Sequence, residues 1–273
     1  MIEAIFKYTY LQNAFLSAVL ASIACGIIGT IIIEKKLVML SGGIAHTSFG
    51  GIGLGYYIGI EPIYGAFVFA IISALGIAQV SKKIHTYSDA LIGMFWSLGM
   101  ALGILFIAIT PGYPPDMTSY LFGDILTVSS SSIIMMSMID LIIVIVIFSL
   151  YNYWKAYFFD EEFSKVIGIP TEILEKILFI MIALTIVVLI KLVGIILVIA
   201  LLTIPPSIAK LLSYNLMNIM LISIIVGVVL CILGLYLSYR FDIASGATII
   251  LTSGATYFIS AFIKSQFKTK NGN

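Results

Sequence analysis

One imidazole in a glycine-rich apolar stretch is the group in this sequence best suited to chemistry. His46 lies within 37–60, a charge-free run long enough to cross a membrane. Ionisable side chains in such runs are costly and often mark ion pathways, and neutral imidazole is the commonest transition-metal ligand. His46 is therefore a candidate for lining a cation path, although it could equally hydrogen-bond a neighbouring helix. The sequence around it also supplies six glycines, at positions 42, 43, 50, 51, 53 and 55.

Two carboxylates are further candidates. Asp124 belongs to a short segment, 119–126, that is too short and too polar to span a membrane and is predicted to form a short or re-entrant helix at the outer side. There it could line or gate a pathway, or only cap a helix. Asp140 lies inside the apolar run 133–153, where it could face a pathway or pair with a backbone group or Lys191.

A third candidate is the amphipathic segment 159–169. Its apolar residues recur at three- and four-residue spacing, which places them on one face of a helix. Such a helix either lies on the membrane surface or docks into a groove of a cytosolic partner. The apolar residues are Phe159, Phe163, Val166 and Ile167.

The composition indicates what must position these residues. Of the 273 residues, 61% are hydrophobic and 10% are charged, whereas soluble domains are nearer half apolar and a quarter charged. An all-α polytopic membrane protein is predicted, a single domain over 1–273, with no cofactor and no nucleic-acid partner. The sequence has no His-Glu-x-x-His and no P-loop, so it is predicted not to be an enzyme. Active transport would need an ion gradient or a separate ATPase.

About nine membrane spans are predicted, because a span needs roughly 20 apolar residues. The run 177–209 is too long for one span, and it is divided near 190–193 and closed by Pro205 and Pro206. The predicted spans are 8–33, 37–60, 62–81, 90–115, 133–153, the two halves of 177–209, 213–238 and 243–263.

The basic residues predict the orientation, because cytoplasmic loops are enriched in lysine and arginine. With the N-terminus outside and the C-terminus inside, the outer loops carry only Lys7 and Arg240, with Lys191 near the outer surface. A single span over 177–209 would instead turn Lys210 and the tail outward. The predicted inner lysines are Lys35, Lys36, Lys82, Lys83, Lys155, Lys165, Lys176, Lys210, Lys264, Lys268 and Lys270.

Taken together, the motifs resemble the ABC-3 family, the membrane permeases of ABC importers for divalent zinc, manganese or iron. The resemblance runs nearly end to end, and its order and spacing are specific. The segments that carry it are Phe15–Gly29, Met39–Gly55, Ser88–Gly103, Tyr120–Leu126, Phe159–Ile169, Val193–Pro206 and the start of the last span at Ser245.

The resemblance implies a homodimeric permease of the cytoplasmic membrane, with two cytosolic ATPase subunits below it and an extracellular metal-binding protein above. It also implies that 159–169 is the coupling helix, with Phe159, Glu162, Phe163 and Gly168 at the ATPase, and that His46 and Asp124 line the metal path. The family's motif commonly places an acid four residues before the histidine, and here that position is Gly42.

Two functions therefore remain as hypotheses. The first is an ATP-driven importer that moves zinc or manganese, or else iron, by alternating access. The alternative is a gradient-driven secondary carrier or channel with His46 and Asp140 as a proton relay. Such a carrier would transport ions without any ATPase.

Overall fold

The protein is a bundle of helices. The computed structural model describes residues 8–83, 88–112, 120–121, 123 and 125–270, and these residues contain no strand. The helices of the described residues are α1 Thr9–Glu34, α2 Val38–Ile58, α3 Pro62–Lys83, α4 Ser88–Ala108, a 3-10 helix Ile125–Thr127, α5 Ser130–Ser149, α6 Tyr151–Phe159, α7 Glu161–Val166, α8 Thr171–Val193, α9 Ile195–Leu212, α10 Leu216–Phe241 and α11 Ser245–Lys270.

Nine of the described helices are long, and they correspond to the nine predicted spans. Eight of them are long and apolar enough to cross a membrane. The ninth is α2, whose apolar character is diluted by its glycines, serines and His46. A helix surrounded by protein does not need an apolar surface toward lipid. The prediction of an all-α polytopic membrane protein is therefore confirmed.

The core of the bundle is built around α1 and α8. The first packs against α5, α9 and α10, and the second packs against α2, α3 and α5. Isoleucines along both helices, such as Ile28 and Ile186, are fully buried. A helix that is apolar on all sides is expected at the centre of a membrane bundle.

The glycines of α2 bring its backbone against two neighbouring helices, as their spacing predicts. A methyl group at Gly50 would lie 2.7 Å from the carbonyl oxygen of Gly99 on α4. Gly51 faces the backbone of Gly65 on α3, and Gly53 faces the backbone of Gly103 on α4. These contacts leave α2 almost entirely inside the protein.

The division of 177–209 is confirmed, and it falls at Gly194 between α8 and α9. Gly194 has φ 78° and ψ 160°, a conformation essentially restricted to glycine. The first half, however, is not a short span, because α8 has 23 residues and begins at Thr171. Its first two turns carry Glu172, Glu175 and Lys176, so charged residues mark the part of the helix that projects beyond the apolar core.

The prediction that Pro205 and Pro206 close the run 177–209 was wrong, because both lie inside α9, which continues to Leu212. Proline removes a helical hydrogen bond to the carbonyl four residues earlier. For Pro206 that carbonyl belongs to Leu202, and it lies directly against Gly29 of α1. Close packing on α1 therefore keeps the helix continuous through the two prolines.

Two boundaries near the predicted short helix also differ. The span predicted to begin at 133 begins earlier, because α5 starts at Ser130 and the Ser129 side chain caps it by accepting from the Ser132 amide at 3.3 Å. Within the predicted 119–126 helix, the described residues are Tyr120, Leu121 and Gly123, followed by the 3-10 helix that starts at Ile125.

Candidate functional site

His46 lies half-buried on α2, where two side chains of α4 surround it. Its ring stacks on the indole of Trp96, with centroids 3.9 Å apart and planes at 11°. Its Nδ1 lies 3.1 Å from the thioether sulfur of Met100. The predicted candidate therefore sits in a small cluster of an imidazole, an indole and a thioether, which we call the His46 cluster.

The close approach of α2 and α4 creates this cluster. Gly99 of α4 lies against Thr47, and a methyl group there would come within 2.5 Å of the Thr47 Cα. Trp96 and Met100 are four residues apart, so they lie on the same face of α4. Sequence reasoning missed both residues. The signal that could have found them is this spacing beside Gly99, in a helix that also carries Gly93 and Gly103.

The position one helical turn before His46 is Gly42, and it borders on Trp96 of α4. A methyl group at Gly42 would lie 3.5 Å from Cζ3 of Trp96, which is ordinary van der Waals contact. Across the described residues, no group of three or more histidine, cysteine, aspartate or glutamate side chains is arranged to hold a metal ion. The donors next to His46 are thus the sulfur of Met100 and the π face of Trp96.

Asp140 is buried at the middle of α5, with 5% of its surface exposed. Neither of its carboxylate oxygens has a hydrogen-bond partner among the described residues. Its helix packs on α1 and α8, and no hydrogen bond joins it to His46. Lys191, the pairing partner considered from the sequence, instead donates to Glu61 at 3.1 Å.

That ion pair marks one end of the bundle, which we call the Glu61 end. Tyr56 and Tyr120 bring their hydroxyl oxygens to 3.4 Å there. Gly123, with φ 63°, is seated on the backbone where α8 meets α9 at Gly194. Asp124, the second predicted pathway residue, lies outside the described residues.

The opposite end, the Lys35 end, carries the predicted coupling segment. It forms two helices rather than one, because Asp160 between α6 and α7 caps α7 by accepting from the Phe163 amide at 2.9 Å. Phe159 ends α6 and is 92% exposed, while Phe163 and Val166 of α7 are 58% and 83% exposed. Large apolar side chains clustered at this exposure usually mark an interaction site.

The remaining predicted residues of this segment are also accessible. Glu162 is exposed on the first turn of α7. Gly168 ends the segment with φ 84°, a left-handed conformation that favours glycine. Ile167 is exposed beside it. The apolar face predicted for 159–169 is therefore present, spread over the end of α6 and all of α7.

A network around Lys35 ties α7 to the connection between α1 and α2. The Lys35 ammonium lies 3.4 Å from a Glu161 carboxylate oxygen and donates to the Tyr157 carbonyl at 3.4 Å. It also sits 3.8 Å above the centre of the Tyr157 ring, a favourable cation–π position. Lys165 reaches the other oxygen of Glu161 at 2.9 Å.

The neighbouring lysines oppose the effect of partial burial on the pKa of Glu161. Burial raises the pKa of this carboxyl, but hydrogen bonds and charge from Lys165 and Lys35 outweigh it and hold the pKa below its usual value. Glu161 therefore stays ionised at neutral pH, and the link between α7 and Lys35 is maintained. The sequence offered no signal for this long-range pair.

Comparisons with known proteins identify relatives of this chain that match it over nearly its whole length. The chain is 45% identical over 260 residues to the Synechocystis protein named uncharacterized membrane protein slr2045, covering 95% of this chain and 92% of that one. It is 33% identical to the manganese transport system membrane protein MntC of Halalkalibacterium halodurans, covering 99% and 91%. The solved structure of PsaBC from Streptococcus pneumoniae in complex with Fab matches with a TM-score of 0.88 at 29% identity, covering 99% and 98%.

The family model agrees with these similarities over nearly the whole chain. The model of the ABC 3 transport family matches residues 7–264. This range includes all nine long helices, apart from the last residues of α11, as well as the His46 cluster and the exposed segment at the Lys35 end. The chain is a multi-pass protein of the cell membrane, and it belongs to the ABC 3 transport family.

Proposed function

We propose that this chain is the membrane subunit of an ATP-driven importer that moves a divalent transition metal by alternating access. The observation that carries the proposal is His46, an imidazole held inside the bundle on its most closely packed helix. Relatives named for metal or manganese transport support the cargo class. The chain itself supplies no P-loop, so a separate ATPase subunit would hydrolyse ATP.

In this proposal His46 binds the ion transiently as it passes through the protein and does not store it. A single imidazole with a thioether neighbour binds a metal weakly, because tight transition-metal sites in proteins use three or four ligands. Weak binding suits an importer, which must release its cargo on the far side. Asp124, which follows Gly123 in the sequence, is proposed as the earlier contact for an ion handed over by an extracellular metal-binding protein.

The Lys35 end is proposed to face the cytoplasm, which places the N-terminus outside and the C-terminus inside. Lys35, Lys165 and Lys210 lie at that end, in agreement with the positive-inside rule. The exposed apolar face of 159–169 would then dock into the ATPase, as amphipathic helices dock into grooves. A second copy of the chain would complete the path, as the family resemblance implies.

Reconstitution separates this proposal from the gradient-driven carrier. The purified permease is placed in liposomes with and without its ATPase subunit, and uptake of radioactive metal is followed with and without ATP. We expect uptake only when ATPase and ATP are both present. Uptake by the permease alone, driven by an imposed proton gradient, would overturn the proposal and favour the His46–Asp140 relay.

The same assay tests the residue assignment. His46→Ala is expected to lower ATP-dependent metal uptake by at least about tenfold, the scale on which changes at metal sites act. Its ATPase assembly and basal ATP hydrolysis should remain, because His46 lies inside the bundle and away from the Lys35 end. Asp140→Asn serves as the comparison, and it is expected to leave uptake close to that of the unaltered protein.

A further inference from the structure

We infer that Met100 and His46 together form a transient two-donor metal-binding site that favours zinc over manganese. This inference rests on the proposed function, since it names the ion that the same site accepts. It begins from a distance: Nδ1 of His46 and the sulfur of Met100 are 3.1 Å apart. Two donor atoms this close can share one ion between them.

The chemistry of the two donors sets the preference. Imidazole suits zinc, iron, nickel and copper, thioethers suit softer ions, and carboxylates suit magnesium, calcium and manganese. The His46 cluster offers an imidazole and a thioether. Zinc, a borderline-soft ion, is therefore stabilised here more than manganese, which prefers oxygen ligands.

Trp96 strengthens this preference by its position. Its ring stacks on His46 and also lies against Gly42. In the unaltered protein the position one helical turn before His46 therefore has indole carbon beside it and no oxygen donor of its own. The stacked ring also fixes the plane of the imidazole, so the ring nitrogen stays beside the sulfur of Met100.

Substitution of Gly42 can change which donor atoms face the metal. A Cβ atom there would make only an ordinary 3.5 Å contact with Trp96. Gly42→Ala should therefore fold and behave like the unaltered protein. Gly42→Asp would add a hard oxygen donor on the same helical face as His46, because residues four apart are neighbours on a helix.

The test measures binding of Zn²⁺ and Mn²⁺ to the purified permease–ATPase complex by competition, and uptake of the two ions by the same complex in liposomes. Met100→Leu removes the sulfur at nearly constant volume. We expect it to reduce the zinc-to-manganese affinity ratio by about tenfold or more. Met138→Leu removes an exposed thioether from α5, a helix that packs on α1 and α8, and should leave the ratio unchanged. Gly42→Asp should shift the ratio toward manganese, and Gly42→Ala should not.

Complex formation and basal ATP hydrolysis show in each case that the variant is folded. A folded Met100→Leu complex with the unaltered ratio would overturn the inference, as would an unaltered protein that binds manganese more tightly than zinc. If zinc binding depends on Met100 but neither ion is taken up, the inference stands and the proposed import function fails. The two failures can therefore be distinguished.

Discussion

At the scale of single residues, the backbone contacts of α2 decide how precisely the His46 cluster is placed. Gly51 of α2 and Gly65 of α3 face each other so closely that neither leaves room for a side chain. Close backbone approach through small residues is a main source of helix association in membranes, where lipid is as apolar as the helix surface. This contact fixes α2 against α3, and the contacts of Gly50 and Gly53 with α4 fix the position of His46 on the other side.

The first prediction tests that packing. Gly51→Ala should destabilise the folded protein by about 1–3 kcal/mol, the usual cost of forcing an extra group into a packed interface. Thermal unfolding in detergent would measure it. Gly93→Ala on α4 is the matched control, since a methyl group there meets nothing within 4 Å. An equal effect from both substitutions would mean that the cost arises from the helix itself and not from the α2–α3 contact.

At the scale of elements, the connection between α1 and α2 links the Lys35 end to the His46 cluster. Lys35 contacts both Tyr157 and Glu161, and α2 begins three residues later at Val38. Lys36 between them has φ 57°, a left-handed conformation that is uncommon outside glycine. A displacement of α7 would therefore act on the start of the helix that carries His46.

Removing this link should uncouple ATP hydrolysis from transport. Lys35→Met is expected to lower metal uptake per ATP several-fold while leaving ATP hydrolysis intact, because single contacts along a coupling path typically contribute about 0.5–2 kcal/mol. Lys165→Met is the matched control, because Lys165 also pairs with Glu161 but lies on α7 itself. Equal losses from the two variants would contradict a specific role for Lys35.

The pKa of Glu161 gives this link a pH dependence with a defined sign. The pKa lies below the ordinary value of a glutamate. A carboxylate with a lowered folded-state pKa contributes its stabilisation above the ordinary pKa and loses it as pH falls through the lowered one. Coupling in the unaltered protein should therefore persist through mildly acidic pH. The stability difference between unaltered protein and Glu161→Gln should vanish only below the usual range of glutamate titration.

The elements also show what a sequence can predict. The lysines and the length of 177–209 together required a break near 190–193, and it occurs at Gly194. The prediction that Pro205 and Pro206 close this run was wrong because their effect on α9 depends on Gly29 and the packing of α1. Met100, Trp96 and the Lys35–Glu161 pair were missed because each depends on which helices become neighbours, and local pattern does not encode that.

At the scale of the whole molecule, the two ends of the bundle have different surfaces. The Lys35 end presents Phe159, Phe163 and Val166 beside charged residues, which is the composition expected of a docking surface. Phe159→Ser should weaken binding of the ATPase subunit by about 2 kcal/mol or more, as exposed aromatic anchors commonly do. Pull-down titration with purified subunits would measure it.

Phe241 supplies the control for that prediction. It is 66% exposed at the end of α10, and α10 runs from the Lys35 end to the opposite end. Phe241→Ser removes a comparable exposed aromatic group from the face that the proposal places outside. ATPase binding that is weakened equally by both substitutions would contradict docking at 159–169.

The orientation of the molecule can be tested without removing its own cysteines. Cys25 and Cys231 are 1% and 0% exposed, so a membrane-impermeant maleimide should not react with them in the folded protein. Glu162→Cys places a thiol at the Lys35 end and Ile243→Cys places one at the opposite end, both at exposed positions. Right-side-out vesicles should label only Ile243→Cys, and inside-out vesicles only Glu162→Cys. The reverse pattern would place the docking segment outside the cell, where no ATP-hydrolysing partner could reach it, and would overturn both the orientation and the coupling proposal.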